Sequence, residues 1–72
     1  MKKTNTEEVT KLITQAINFK QEGDLISAEL NLKKALKIEP DNFIILNNLG
    51  NIYSTKNELK KAKNFFSRAI NI

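Results

Sequence analysis

Residues 9 to 38, shifted forward by 34 positions onto 43 to 72, lay like upon like, and this internal repeat constrains the fold more than any other feature of the chain. Leu12 coincides with Leu46, Leu25 with Leu59, Ala28 with Ala62, Ala35 with Ala69 and Ile38 with Ile72. Between these identities fall Ala16 with Gly50, Phe19 with Tyr53, Gly23 with Asn57, Leu32 with Phe66 and Leu36 with Ile70, each pair alike in size or in backbone tolerance. A period of this length belongs to helical repeats, in which each unit buries its apolar stripe only by packing against a neighbour. The expected architecture is therefore all-α, with two tandem antiparallel helix-turn-helix repeats. The expected segments are an N-terminal arm and cap over 1–8, a first repeat over 9–42 and a second over 43–72, shortened at its C-terminal end.

The helices are bounded by identifiable start and stop signals. Thr4, with Glu7 three residues on, fits a capping box, and Val9, Leu12, Ile13, Ala16, Ile17 and Phe19 follow at helical spacing, so the first helix is expected from about residue 6 to 21. Gly23 tolerates the left-handed conformation at a helix end, and Asp24 can accept hydrogen bonds from the free N–H groups of the next helix. The second helix carries Leu25, Ala28, Leu32, Ala35 and Leu36. Pro40, Asp41 and Asn42 break the chain, because proline lacks the donor that a continuing helix requires. Leu46, Leu49, Gly50 and Tyr53 mark the third helix, Lys56 and Asn57 the next turn, and the fourth helix is expected from Glu58 nearly to the terminus.

Small residues account for close helix crossings. Axes approach to the short end of the usual separation only where the side chains between them are small. Ala16 is expected to face Ala28 and Ala35, and Gly50 to face Ala62 and Ala69, with Phe19, Leu32, Tyr53 and Phe66 filling the space around them. The segment LNNLGNIY over residues 46–53, followed by Ala62, Phe66 and Ala69, resembles the tetratricopeptide repeat, although Leu46 stands where that pattern has tryptophan. The first unit resembles it through Leu12, Ala16, Phe19, Ala28, Ala35 and Pro40, with Gln15 and Leu32 as departures.

Differences between the repeats suggest where the ends lie. On the face of the first helix that would meet a preceding repeat stand Lys11, Gln15, Asn18 and Glu22, where the third helix has Ile45, Leu49, Ile52 and Lys56. A polar face there is expected of an N-terminal end. In the second unit Lys60 and Asn64 replace Ile26 and Leu30, which reads as partial adaptation to water. Phe65, Ile70 and Ile72 are then expected to form an exposed apolar docking patch, unless Phe65 serves to cover the third helix.

The resemblance implies a concave groove, lined by the first helices of the pairs, that takes an extended or helical peptide of a partner protein. The corresponding stripe is Ile13, Ile17 and Lys20 on the first helix and Ile44, Asn47, Asn48, Asn51 and Ser54 on the third. Asparagine has a donor and an acceptor on one short side chain, so Asn47 and Asn51 could bond a peptide main chain without reading its sequence. The competing explanation is compositional: 30 of the 72 residues are Asn, Lys or Ile, the bias that AT-rich codons produce. Members of the family that clamp terminal carboxylates use cations at these positions, and here Lys20 is the sole one. Ile13 and Ile17 instead favour an amphipathic or apolar ligand.

Other functions are weighed against composition. With no Cys, no His and only two glycines, both assigned to structural roles, a thiol or imidazole site, a phosphate loop and a thiolate metal site are all lacking, so catalysis is disfavoured and the chain is read as a non-enzyme without cofactors. The formal charge of +4 is concentrated in residues 43–72, where Lys56, Lys60, Lys61, Lys63 and Arg68 face Glu58 alone. That helix could meet an acidic partner, but exposed stacking aromatics are lacking and nucleic acid is disfavoured. No apolar run is long enough to span a bilayer, so membrane insertion is disfavoured and an intracellular, cytoplasmic location is expected. The expected role is a protein-binding adaptor; the alternative is a small assembly subunit that docks through its last helix into a homo-oligomer or larger complex.

Overall fold

The computed structural model describes residues 3–71, with side chains from residue 5 onward. It contains four helices in the order α1 (Lys3–Gln21), α2 (Leu25–Ile38), α3 (Phe43–Thr55) and α4 (Leu59–Ile70). The chain divides into two compact units, residues 1–40 and 41–72. In the first, α1 packs on α2; in the second, α3 packs on α4. Each connecting turn is three residues long, which forces antiparallel neighbours.

The repeat is present in the backbone hydrogen bonds as well as in the sequence. At the end of α1, Gly23 N donates to Lys20 O at 3.0 Å and Asp24 N to Phe19 O at 2.9 Å; thirty-four residues on, Asn57 N donates to Ser54 O at 3.0 Å and Glu58 N to Tyr53 O at 2.8 Å. This pair of bonds is the Schellman motif, and it requires a left-handed residue just past the helix. Gly23 has φ 84° and Asn57 φ 65°, so asparagine performs in the second unit what glycine does in the first.

The caps that start the helices differ. Asp24 Oδ1 accepts from Ser27 N at 3.0 Å at the head of α2. Asn42 Oδ1 accepts from Ile44 N at 2.8 Å and Ile45 N at 3.3 Å at the head of α3. Glu58 precedes α4 without a side-chain cap bond.

α1 begins at Lys3, earlier than expected, so the arm foreseen over 1–8 is helical from Lys3. No proline or glycine over 4–8 breaks a helix. Thr4 lies inside the helix, and its side chain, with the capping box assigned to it, is outside the described residues.

The buried residues follow the repeat at Leu12 and Leu46, Ala16 and Gly50, and Ala28 and Ala62, and differ elsewhere. Val9, Leu12, Ala16, Ala28, Leu32 and Ala35 are buried in the first unit, and Ile45, Leu46, Leu49, Gly50, Ile52, Tyr53 and Ala62 in the second. Gly50 does mark a close approach, but the neighbour is Phe66 and not an alanine: a Cβ at Gly50 would lie 2.6 Å from Phe66 Cε1. In the first unit the same two positions hold Ala16 and Leu32. The space that an aromatic edge occupies against glycine is thus shared there between an alanine and a smaller partner.

Candidate functional site

On α1, Ile13 and Lys20 are half-buried and Ile17 is 37% exposed. Residues three and four apart share a helix face, so these three form one stripe beside the buried row Val9, Leu12 and Ala16. Nearby, on the face carrying Lys11, Gln15, Asn18 and Glu22, all four residues are exposed. Gln15 is engaged within its own unit, its Oε1 accepting from Asn31 Nδ2 at 3.0 Å.

On α3, Ile44 is 44% exposed, Asn47, Asn51 and Ser54 are exposed, and Asn48 is half-buried. Asn48 turns its amide back on the helix, where Nδ2 donates to Ile44 O at 2.8 Å. The Asn51 backbone carbonyl accepts from Thr55 Oγ1 at 3.0 Å, and the residue itself is exposed. Asn47 and Asn51 therefore present outward amides one helical turn apart, each with a donor and an acceptor. Asn48 differs from them, because one N–H of its amide is already bonded to its own helix.

The proposed C-terminal patch is divided. Phe65 is half-buried and stacked on Tyr53, with centroids 5.5 Å apart and planes 6° from parallel. Ile70 is 82% exposed, and Ile72 lies outside the described residues. The reason for the separation is angular. Five residues at 100° each place Ile70 well round the helix from Phe65, so Phe65 covers α3 while Ile70 points to solvent.

The basic residues of the second unit gather partly around the same aromatic pair. Lys56 Nζ lies 3.6 Å and Lys61 Nζ 3.2 Å from the Glu58 carboxylate. Each ammonium is also 5.4 Å from the Tyr53 ring centre, and the Arg68 guanidinium is 5.3 Å from that of Phe65. Cations over ring faces are attracted by the ring quadrupole, so these three side chains reinforce the local packing. Lys60 and Lys63 are exposed on the outer side of α4.

Ile26 and Leu30, which the second unit replaces by Lys60 and Asn64, are 73% and 57% exposed. At 100° per residue they lie on the side of α2 opposite Ala28 and Ala35. That wheel could have been drawn from sequence, and it shows that Lys60 and Asn64 occupy an outward position that is apolar only in the first unit.

Among the described residues no cluster of three or more His, Cys, Asp or Glu side chains gathers to hold a metal, and no described helix is long and apolar enough to cross a membrane. A family model for a TPR repeat matches residues 18–57 and one for the tetratricopeptide repeat matches residues 44–72. No curated protein and no solved structure matches the chain. Helical hairpins in tandem, duplicated Schellman turns and the two matches lead to one assignment: the chain belongs to the tetratricopeptide-repeat family, whose repeats generally act as protein–protein interaction modules without catalytic activity.

Proposed function

We propose that this chain binds an extended or helical segment of a partner protein along the exposed face of the first helix of a hairpin. On α1 the face is Ile13, Ile17 and Lys20; on α3 it is Ile44, Asn47, Asn48, Asn51 and Ser54. The observation that carries the reading is the outward pair Asn47 and Asn51, one turn apart beside the exposed Ile44. Two amides at that spacing can each donate to and accept from a partner main chain, while Ile44 on the same helix offers apolar contact. Such a surface selects for shape and backbone access more than for charge, since Lys20 is its only cation.

The test is a selection of peptide binders against the intact chain, followed by titration of the selected peptides into wild type and into Asn47→Ala/Asn51→Ala. Loss of about 1 kcal/mol per hydrogen bond removed predicts roughly tenfold or greater weakening for the double variant. Peptides that bind both proteins equally would refute the amide pair as the contact surface.

The second reading, docking through α4 into an assembly, draws its support from the exposed Ile70. Phe65 adds little to it, because its ring is spent on Tyr53.

A further inference from the structure

We propose that two copies of this chain associate through the outward faces of α2, packed antiparallel about a two-fold axis near position 28, with Ile26 and Leu30 at the centre. The surface is on a different helix from the proposed peptide-binding faces and does not depend on them.

Three observations converge on α2. The first is the exposure of Ile26 and Leu30, which stand one turn apart on a common face, 73% and 57% exposed. Isolated apolar residues on a surface require no explanation, but these two have an internal control. The same positions of the second unit hold Lys60 and Asn64, both exposed, so the hairpin does not need apolar residues there to fold.

The second observation is how charge is distributed along this helix and the turn before it. Glu22 and Asp24 lie at one end, Lys34 and Lys37 at the other, all exposed. Between them Glu29 and Lys33 pair with each other at 3.0 Å. Acids at the start and bases at the end also suit the helix dipole, which accounts for the order of charges but not for Ile26 and Leu30.

The third is register. An axis at position 28 sets Ile26 of one copy opposite Leu30 of the other, and brings the turn that carries Glu22 and Asp24 at the head of one α2 to the end of the other that carries Lys34 and Lys37. Each apolar residue then meets an apolar one, and each charged end meets its opposite, twice over, as an isologous interface requires. An acidic partner would instead be repelled by Glu22 and Asp24, and a basic one by Lys34 and Lys37. The surface is complementary to itself.

Sedimentation velocity on the full chain, from about 10 µM to about 1 mM at low salt, is expected to show the mass rising from 8.2 kDa toward twice that value. The variant Ile26→Lys/Leu30→Asn, which copies the second unit and so retains helical circular dichroism, is expected to weaken association at least about tenfold. Lys34→Glu alone and Glu22→Lys alone each create two like-charge contacts and weaken it as well. An equimolar mixture of those two single variants restores both opposite-charge contacts and is expected to dimerise as tightly as wild type. A wild type that stays monomeric throughout, a dimer unaffected by Ile26→Lys/Leu30→Asn, or a mixture no tighter than its components would each overturn the proposal.

Discussion

Tyr53 and Phe65 stack with ring centres 5.5 Å apart and planes within 6°, whereas the equivalent positions of the first unit hold Phe19 and Asn31. In that unit Asn31 bonds to Gln15 instead. One hairpin closes its flank with an aromatic face, and the other closes it with an amide pair.

Removing the stack should loosen the second hairpin. Phe65→Ala is expected to lower its stability by about 1–3 kcal/mol, less than truncating a fully buried aromatic costs, because the ring is only half-buried. Urea denaturation followed by far-ultraviolet circular dichroism measures this. A midpoint unchanged from wild type would show that the stack contributes nothing.

Gly50→Ala sets two effects against each other. Alanine gains about 1 kcal/mol of helix propensity over glycine, but its Cβ would lie 2.6 Å from Phe66, and overpacking costs about 1–3 kcal/mol. We expect net destabilisation. Adding Phe66→Leu reproduces the Ala16/Leu32 combination of the first unit and should recover most of the loss, a non-additivity that a double-mutant cycle reads directly.

The left-handed turns give a matched pair of tests. Gly23→Ala places a new Cβ at positive φ and should cost about 1–2 kcal/mol, whereas Asn57→Ala keeps a Cβ there and loses only the short polar side chain that eases the left-handed conformation, so it should cost less. Asn57→Gly should be neutral or stabilising, since φ 65° is strained for asparagine and free for glycine. Thermal melts of the three variants suffice, and an Asn57→Gly variant less stable than wild type would contradict the account.

Asp24 supplies a pH dependence with a defined sign. The backbone N–H of Ser27 bonded to its carboxylate, with a smaller effect from the Ser27 side chain, holds its pKa below the ordinary aspartate value. The depressed value means that the folded state favours the ionised form. The cap's contribution is thus complete above the unfolded-state pKa and fades as the pH falls through the folded one. Wild type should therefore be more stable than Asp24→Ala near neutrality, with the difference shrinking in acid. A difference that stays constant across that range would rule out the ionised cap.

Much of this fold was legible in the sequence, and the residues show why. Gly23, Asp24, Pro40 and Asn57 act locally, through backbone conformation and missing or satisfied donors, so the turns could be placed to within a residue or two. The buried rows Leu12, Ala16 and Leu46, Leu49, Tyr53 followed from periodicity alone. The start of α1 was missed because Thr4 resembles a cap, although nothing before it stops the helix. Side-chain direction was the harder matter: residue type left Phe65 open between a patch with Ile70 and a cover for the third helix, and angular position separates the two. For the stripe on α3, the sequence identified Asn47, Asn48 and Asn51 but not that Asn48 folds its donor back onto Ile44 O.

Tyr53 is the only tyrosine, and the chain has no tryptophan. Absorbance and emission near 280–300 nm therefore arise from a single phenol, set against Phe65 and beneath two ammonium groups. The second hairpin thus carries a built-in optical label that the first lacks. Comparing its signal with that of the whole backbone during denaturation would reveal, without any added dye, whether the two halves melt together or one outlasts the other.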